Sequence, residues 1–223
     1  MLHNLPCSLG LKPRANSYCH VKWLAPYLAG ERHCLFNLQQ QVMFSTPRTT
    51  GLPGDWVTRH ERLVQAIAMR HSRNGRPVSL EQENAFRARS RNGITLHGQC
   101  DVEVAETPSE PGVIADAKTG KPRGKDRAQV LTYMALAPWM KQLEGISRPP
   151  VGEISYADGA VVRIPAEEAD EAFRKQISSL LGLASGPEPE PSPSENECRF
   201  CRLADICSHR VMGAAEPSEV AWL

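Results

Sequence analysis

The sequence has no long apolar run and no excess of charge of either sign. None of its hydrophobic segments approaches the roughly 18 apolar residues of a membrane-spanning helix. The residues from Met1 to Cys7 do not form a basic region followed by an apolar core, so we expect no signal peptide and a cytoplasmic protein. Because 26 Lys and Arg residues nearly balance 25 Asp and Glu residues, only local clusters could indicate a nucleic-acid partner.

The length of 223 residues is enough for one well-buried domain with a small appendage. Periodicity and turn residues divide the chain into an irregular N-terminal segment, a core, a linker rich in Pro and Glu, a cysteine-bearing segment and a tail. These five parts are placed at residues 1–30, 31–185, 186–197, 198–210 and 211–223. We expect the linker to be stiff and exposed.

Within the core, the apolar pattern predicts the order helix, helix, three strands, helix, two strands, helix. The helices are predicted at 32–44, 54–70, 125–137 and 165–183, and the strands at 77–86, 93–105, 112–118, 151–156 and 160–164. The Asn92-Gly93 and Asp158-Gly159 steps are hairpin signals. Pro165 is predicted to begin the last helix.

Two acids and one lysine define the centre of the sequence. Asp101 and Asp116 are almost symmetric about the turn near Pro108, so an antiparallel hairpin places them nearly opposite one another. Alternation along a strand points Asp116 and Lys118 to the same face. Two carboxylates on neighbouring strands suit Mg²⁺ or Mn²⁺, and a nearby lysine can orient or deprotonate an attacking water. Taken alone, an Asp-x-Lys sequence more often forms a solvated pair.

Neighbouring residues strengthen this interpretation. Gly98 precedes Asp101 by three residues, and Gln129 and Tyr133 are four residues apart on the next predicted helix. That spacing puts both side chains on one helix face, from which they could contact a phosphate or a base. The structural alternative is that Tyr133 is a core aromatic residue. Glu81 and Glu83, in the first predicted strand, share one side of the sheet and could support the site, but we interpret both as solvent-facing strand residues.

A local cluster of basic residues accompanies these acids. Its first group, Arg87, Arg89 and Arg91, precedes the Asn92-Gly93 turn. Its second group follows Lys118 and consists of Lys121, Arg123, Lys125 and Arg127. Contacts between such side chains and phosphates are tolerant of sequence and depend on salt. A run of charge is often only a solvated loop.

Together these motifs resemble the PD-(D/E)XK nuclease superfamily, and within it the RecB-like and CRISPR-associated exonuclease group. The resemblance covers roughly residues 31–210. Its motifs are a helix histidine, Gly-x-x-Asp, Asp/Glu-x-Lys and Gln-x-x-x-Tyr, matched here by His60, Gly98 to Asp101, Asp116 to Lys118, and Gln129 to Tyr133. One departure is Cys100, which stands where a proline often precedes the first acid.

The resemblance implies an α/β fold of mixed α+β type, with a restriction-endonuclease-like core, a central mixed sheet and flanking helices. It implies that Asp101 and Asp116 hold Mg²⁺ or Mn²⁺ and that Lys118 is the catalytic lysine. His60 would be a further metal ligand or would position water, whereas a lone helix histidine is often only a surface or core residue.

A set of closely spaced cysteines indicates a second, soft-metal site. Cys198, Cys201 and Cys207 supply three thiols, and a four-coordinate site needs one more. The resemblance implies that Cys34 is the fourth ligand of a structural [4Fe-4S] cluster that joins the N- and C-terminal segments. Cys19 or Cys7 could replace Cys34, and zinc is the alternative to the cluster because it also accepts four thiolates.

These features predict a metal-dependent DNA nuclease that acts on single strands or DNA ends and hydrolyses phosphodiester bonds. The group also implies protein partners in a CRISPR or DNA-repair complex, and the lack of a long apolar run predicts no membrane partner. One alternative is a non-catalytic nucleic-acid-binding or assembly subunit that keeps the fold and the cluster. Another is a zinc-stabilised scaffold.

Overall fold

A computed structural model describes residues 9–46, 54–140 and 147–211. Cys7 and nearly all of the predicted tail lie outside the described residues. The strands are β1 (Tyr18–His20), β2 (Val78–Leu80), β3 (Ala85–Arg89), β4 (Thr95–Gln99), β5 (Val102–Val104), β6 (Val113–Lys118), β7 (Val151–Tyr156) and β8 (Val161–Ile164). The helices are α1 (Val21–Leu28), α2 (Leu35–Met43), α3 (Gly54–Ser72), α4 (Gly124–Leu136), α5 (Glu171–Ser185) and α6 (Glu195–Arg199). No described helix is both long and apolar enough to cross a membrane.

The main sheet has five strands in the order β2-β5-β6-β7-β8. It is mixed, because β6 and β7 are parallel whereas the other neighbours are antiparallel. The central strand β6 is buried along its length except at Lys118, as expected for a strand covered on both faces. The predicted α/β fold with a mixed central sheet is therefore confirmed.

Helices α3 and α4 cover opposite faces of this sheet. Val64 and Ile67 of α3 pack with alternate residues of the central strands, including Val113 and Ala115. The intervening residues, such as Ile114, pack with Val130 and Met134 of α4 in the larger core. Since alternate residues of a strand point to opposite faces, Asp116 lies on the same side of the sheet as α4.

A second, three-stranded sheet has the order β1-β4-β3, with β1 parallel to β4 and β3 antiparallel to it. The expected irregular N-terminal segment is therefore wrong for residues 18–28, which form β1 and α1. Helix α1 packs on α4, so its apolar residues, among them Val21 and Leu24, are in the core. The pairing of β1 with β4 joins residues that are far apart in sequence, so local sequence patterns could not predict it.

The first two predicted strands, at 77–86 and 93–105, are each divided between the two sheets. The predicted strand at 77–86 breaks at a 3₁₀ turn over Glu81–Asn84, where Glu81 has a φ of 39°. The Asn84 amide donates to the carbonyls of Ser79 and Cys100 and so stabilises this break together with the one between β4 and β5. The predicted strand at 93–105 is therefore interrupted, and Asp101 lies at the interruption.

The C-terminal elements also differ from prediction. Helix α5 begins after Asp170, whose side chain accepts a hydrogen bond of 2.7 Å from the Phe173 amide. That N-cap, and not Pro165, sets the start of the helix. The predicted exposed linker lies partly against α2, because Gln39 donates to the carbonyls of Gly186 and Pro187 at 2.9 and 3.1 Å.

Candidate functional site

Asp101 and Asp116 lie across from each other at the end of the β5–β6 pair. The register pairs Val102 with Ala115, and one step further along the strands brings the two aspartates together. Oδ2 of Asp101 accepts a hydrogen bond of 2.7 Å from the backbone amide of Ala117. The structure thus brings together the two acids that the hairpin symmetry predicted to be close.

Lys118 and Gln129 hold the Asp116 carboxylate. The ammonium of Lys118 forms an ion pair with Oδ2 of Asp116 and donates to Oε1 of Gln129 at 3.3 Å. The amide nitrogen of Gln129 donates to Oδ1 of Asp116 at 3.1 Å. The orientation of all three groups is therefore fixed by mutual contacts between β6 and α4.

Tyr133 extends this network to the end of β4. Its hydroxyl accepts a hydrogen bond of 3.1 Å from Nε2 of Gln129 and donates one of 3.0 Å to the carbonyl of Gln99. Burial raises the pKa of Tyr133 well above its ordinary value, so the hydroxyl stays protonated. Tyr133 is thus both a core aromatic residue and a positioning group for Gln129.

The electrostatics of Asp116 favour a nearby cation. Burial raises the pKa of this carboxyl to about 6; the Lys118 ammonium opposes that rise and the Asp101 charge adds to it. The pKa of Lys118 is raised overall, because the charge and hydrogen bond of Asp116 outweigh the effect of burial. Lys118 is therefore positively charged at neutral pH.

His60 reaches the same site from α3. Its Nε2 lies 3.3 Å from Oδ2 of Asp101, and this hydrogen bond raises the pKa of His60 against the opposing effect of burial. Trp56, one turn earlier, stacks on the imidazole with ring centroids 5.2 Å apart. The tryptophan thus restricts the rotation of His60.

Gly98 is required by close packing beneath the site. It pairs with Phe86 across the β3–β4 ladder, and a Cβ at this position would lie 2.2 Å from the Phe86 ring and 3.0 Å from the Tyr133 ring. The Phe86 ring in turn meets Tyr133 edge to face. The absence of a side chain at Gly98 therefore lets Tyr133 reach the Gln99 carbonyl.

The carboxylates open into a cleft of about 990 Å³. Its lining contains part of the predicted basic cluster: Arg87, Lys121, Arg123 and Lys125. Arg123 is paired with Glu31 at 2.9 Å. Arg127 is not in this lining and pairs with Glu168, while Arg89 and Arg91 also lie outside the lining.

Several residues of the cleft were not predicted. Glu81 lines it and donates its backbone amide to the Asp101 carbonyl at 3.0 Å, whereas the sequence suggested a solvent-facing strand residue. Trp56, His20 and His97 also line it. Of these residues, only Trp56 had a local signal in the sequence that could have placed it in the cleft, because it lies one helical turn before His60.

The donor set of the acidic site fits a hard divalent cation. Two neighbouring carboxylates suit Mg²⁺ or Mn²⁺, which also retain several water ligands. Among the described residues, no group of three or more His, Cys, Asp or Glu side chains is arranged as a metal site. Asp101 and Asp116 would hold such an ion, and His60, which lies beside Asp101, would be a further ligand or would position water.

The four cysteines predicted to act together line one cavity: Cys34, Cys198, Cys201 and Cys207. Helix α6 is held beside Cys34 by Glu197, whose Oε1 accepts from the backbone amides of His33 and Cys34 at 2.8 and 3.1 Å. The capping box formed by Ser194 and Glu197 fixes the start of α6. The fold therefore brings Cys34 to the C-terminal cysteines across most of the chain.

Amide N–H groups donate hydrogen bonds to two of the sulfurs. Asn37 donates to Sγ of Cys201 at 2.9 Å, and the Val211 amide donates to Sγ of Cys198 at 3.3 Å. Hydrogen bonds of this kind stabilise anionic sulfur in metal and cluster sites, so the donors fit a thiolate-bound group. In the described part of the chain the sulfurs are not arranged as a metal site as they stand.

Cys19, one alternative fourth ligand, is placed elsewhere. It lies in the apolar core, and burial raises its pKa to about 12, so it behaves as a neutral core thiol. Cys100 is also fully buried, with its pKa raised by burial and by Glu103. Neither residue lines the cavity of the four cysteines. Cys7, the other alternative, is outside the described residues.

A family model described as the PD-(D/E)XK nuclease superfamily matches residues 27–208. This range includes both aspartates, Lys118 and the four clustered cysteines, whereas β1 precedes it. Solved structures are similar at low identity. SSO0001 is 13% identical over 89% of each chain, with a TM-score of 0.47. A "Putative exonuclease" from Eubacterium rectale is 13% identical over 87% of this chain and 74% of its own, with a TM-score of 0.40. Among curated proteins, none matches the chain.

Proposed function

The chain belongs to the PD-(D/E)XK nuclease superfamily, and we propose that it is a DNA nuclease that hydrolyses phosphodiester bonds with Mg²⁺ or Mn²⁺. The observation that carries this proposal is the juxtaposition of Asp101 and Asp116 with Lys118 in ion-pair contact. Members of the superfamily generally use these metals. We further propose that the chain belongs to the RecB-like and CRISPR-associated exonuclease group and acts on single strands or DNA ends.

Each residue of the site has a separate role in the proposed reaction. Asp101 and Asp116 would hold the ion, which when bound supplies positive charge to the phosphate oxygens in the transition state. Lys118, already protonated, would donate a hydrogen bond to the attacking water or to a phosphate oxygen. Since Gln129 contacts both Asp116 and Lys118, its role would be to keep their separation and orientation. His60 would bind the ion or position water beside Asp101.

The cysteines would serve the fold and not the reaction. We propose that Cys34, Cys198, Cys201 and Cys207 bind a [4Fe-4S] cluster, with zinc as the less favoured occupant. Their common cavity and the amide donors to Cys198 and Cys201 support this. Such a site would join the segment at 198–210 to the start of the core at 31–185. We also propose a cytoplasmic location, where thiols stay reduced and available to such a site, and partners in a CRISPR or DNA-repair complex.

The experiment is anaerobic purification followed by cleavage assays on single-stranded and double-stranded DNA with free ends, in Mg²⁺ and in Mn²⁺. We expect metal-dependent release of nucleotides or short fragments, and none in EDTA. The matched variant Asp116→Ala should lose cleavage and bind Mn²⁺ more weakly. Absence of divalent-dependent cleavage of any DNA or RNA would instead favour a non-catalytic binding or assembly subunit.

A further inference from the structure

The three-stranded sheet presents one buried face and one outer face. Cys19, Ala88 and Leu96 point to the core, so the alternate residues of the strands point outward. These outward residues form rows across the strands, because His20 pairs with His97 and His97 pairs with Arg87. The outward positions of the three strands are Tyr18, His20, Ala85, Arg87, Arg89, Thr95, His97 and Gln99, without an Asp or Glu.

Aromatic rings on this face form a connected cluster with Trp23 of α1. The His97 ring lies 5.1 Å from that of Tyr18 and 5.6 Å from that of His20, measured between centroids. Trp23 lies 5.5 Å from Tyr18 and 4.6 Å from His20. All four side chains are partly exposed, so the cluster is accessible from solvent and is not an enclosed core.

Positive charge surrounds the rings. The guanidinium of Arg14 lies 4.4 Å from the centre of the Tyr18 ring, and Arg87 and Arg89 are exposed on β3. Burial, together with the nearby charges of Lys22, His97 and Arg14, lowers the pKa of His20 to about 4. The imidazole of His20 is therefore neutral at physiological pH, while the positive potential around it attracts phosphate groups.

The face is continuous with the proposed active site. His20, His97 and Arg87 line the same cleft as Asp101, Asp116 and Lys118. His97 precedes Asp101 by four residues, a separation of at most about 13 Å along an extended chain. A short stretch of nucleic acid could therefore contact the rings and the carboxylates at the same time.

We propose that this outer face, built from β1, β4 and β3 with Trp23, is a binding platform for single-stranded DNA that enters the active site. The bases would stack on the ring cluster, and the phosphates would contact Arg14, Arg87 and Arg89. Aromatic rings with interspersed basic residues bind single strands in this way, because unpaired bases expose their faces. A duplex keeps its bases stacked inside and could use only the charges. The inference rests on the proposed function, since it names the substrate form for that same site.

The test measures binding separately from cleavage. Fluorescence anisotropy of a labelled oligothymidylate is recorded in EDTA for the wild-type protein and for His97→Ala, His97→Phe, Arg87→Ala and Lys175→Ala. Loss of one stacking contact should weaken binding roughly 5- to 100-fold in His97→Ala, and the phenyl ring of His97→Phe should restore it. Arg87→Ala should reduce the slope of log affinity against log salt by about 0.7. Lys175 is exposed on α5 and outside the cleft lining, so Lys175→Ala should bind as the wild type does.

Two results would overturn the platform: a wild-type protein that does not bind the oligomer in EDTA, or His97→Ala and Arg87→Ala binding as tightly as the wild type. A duplex of the same length should be insensitive to His97→Ala, and equal losses for duplex and single strand would also contradict base stacking. Failure of the proposed nuclease function gives a different pattern. In that case the variants weaken binding as expected, but no divalent metal produces cleavage.

Discussion

Gln129 donates a hydrogen bond of 3.1 Å from Nε2 to Oδ1 of Asp116, which links the central strand to α4 at the candidate active site. The same side chain accepts from Lys118, so one amide sets the positions of both a carboxylate and an ammonium. Because these contacts lie within the site and not on its surface, they act more on the positions of the carboxylate and the ammonium than on the charges of these groups. This relationship separates positioning residues from the groups that would contact the phosphate.

Replacing Gln129 with Leu should therefore reduce cleavage without abolishing it. The substitution removes the hydrogen bonds of Gln129 with Asp116 and Lys118, as well as the one to Tyr133. A contribution near 1.4 kcal/mol corresponds to a loss of about tenfold in kcat. Tyr133→Phe removes the hydroxyl contacts to Gln129 and to the Gln99 carbonyl. It leaves the contacts of Gln129 with Asp116 and Lys118 in place and should have a smaller effect. Rates measured across a Mn²⁺ titration check both. Wild-type kcat in Gln129→Leu at saturating metal would show that the amide is not needed for positioning.

Lys118→Ala should nearly abolish cleavage and leave DNA binding largely intact. The change removes a preorganised positive group from a buried site, and the loss of one such group costs about 10²–10³-fold in kcat. Single-turnover cleavage measures the rate, and anisotropy in EDTA measures binding. Cleavage by Lys118→Ala at the wild-type rate would remove the proposed role of the lysine.

Local patterns were sufficient to predict that Asp101, Asp116 and Lys118 lie together, but not which residues surround them. Asp101 directly precedes β5 and Asp116 lies on β6, the antiparallel neighbour of β5, so their approach follows from the symmetry of one turn. The contact between Gln129 and Tyr133 follows from helical spacing. By contrast, His20 lies beside His97 only because β1 pairs in parallel with β4, a contact between segments that are distant in sequence. The strand break at Glu81–Asn84 likewise depends on hydrogen bonds from Asn84 to two separate segments.

Gly98→Ala should destabilise the protein, because the added methyl group overlaps the buried Phe86 ring. Overpacking of a filled core typically costs about 1–3 kcal/mol, and displacement of Phe86 should also disturb Tyr133. The free energy of unfolding in urea measures the cost. Gly120→Ala is the matched control, since a Cβ at Gly120 meets nothing within 4 Å. Equal stability of the two variants would contradict the packing role of Gly98.

Each of the four clustered cysteines should be needed for the proposed [4Fe-4S] cluster. In Cys34→Ala the iron and acid-labile sulfide contents should fall sharply, together with the broad absorption at about 400 nm of an oxidised cluster. Cys19→Ala is the control, because Cys19 lies in the apolar core and outside the cysteine cavity. Full iron content in Cys34→Ala would exclude it as a ligand. A colourless protein with stoichiometric zinc would support the zinc alternative.

Glu153 should make the stability of the fold depend on pH. It is buried on β7 and forms ion pairs with Arg70 and His71 of α3, the helix that carries His60. Burial raises the pKa of Glu153, but the neighbouring His71 and the charge of Arg70 outweigh it and hold the pKa below its ordinary value of 4.5.

A carboxyl whose pKa is lower in the folded than in the unfolded state stabilises the fold above its unfolded pKa. That contribution is fully present above pH 4.5 and is lost as the pH falls from there through the lower folded value. Glu153→Gln should therefore be less stable than the wild type at pH 7, by about 1–3 kcal/mol, because its basic partners lose the opposite charge of the carboxylate. The difference should shrink as the pH falls toward 3. Urea unfolding of both proteins across this range measures it, and a difference that does not change with pH would show that the Glu153 charge does not stabilise the attachment of α3.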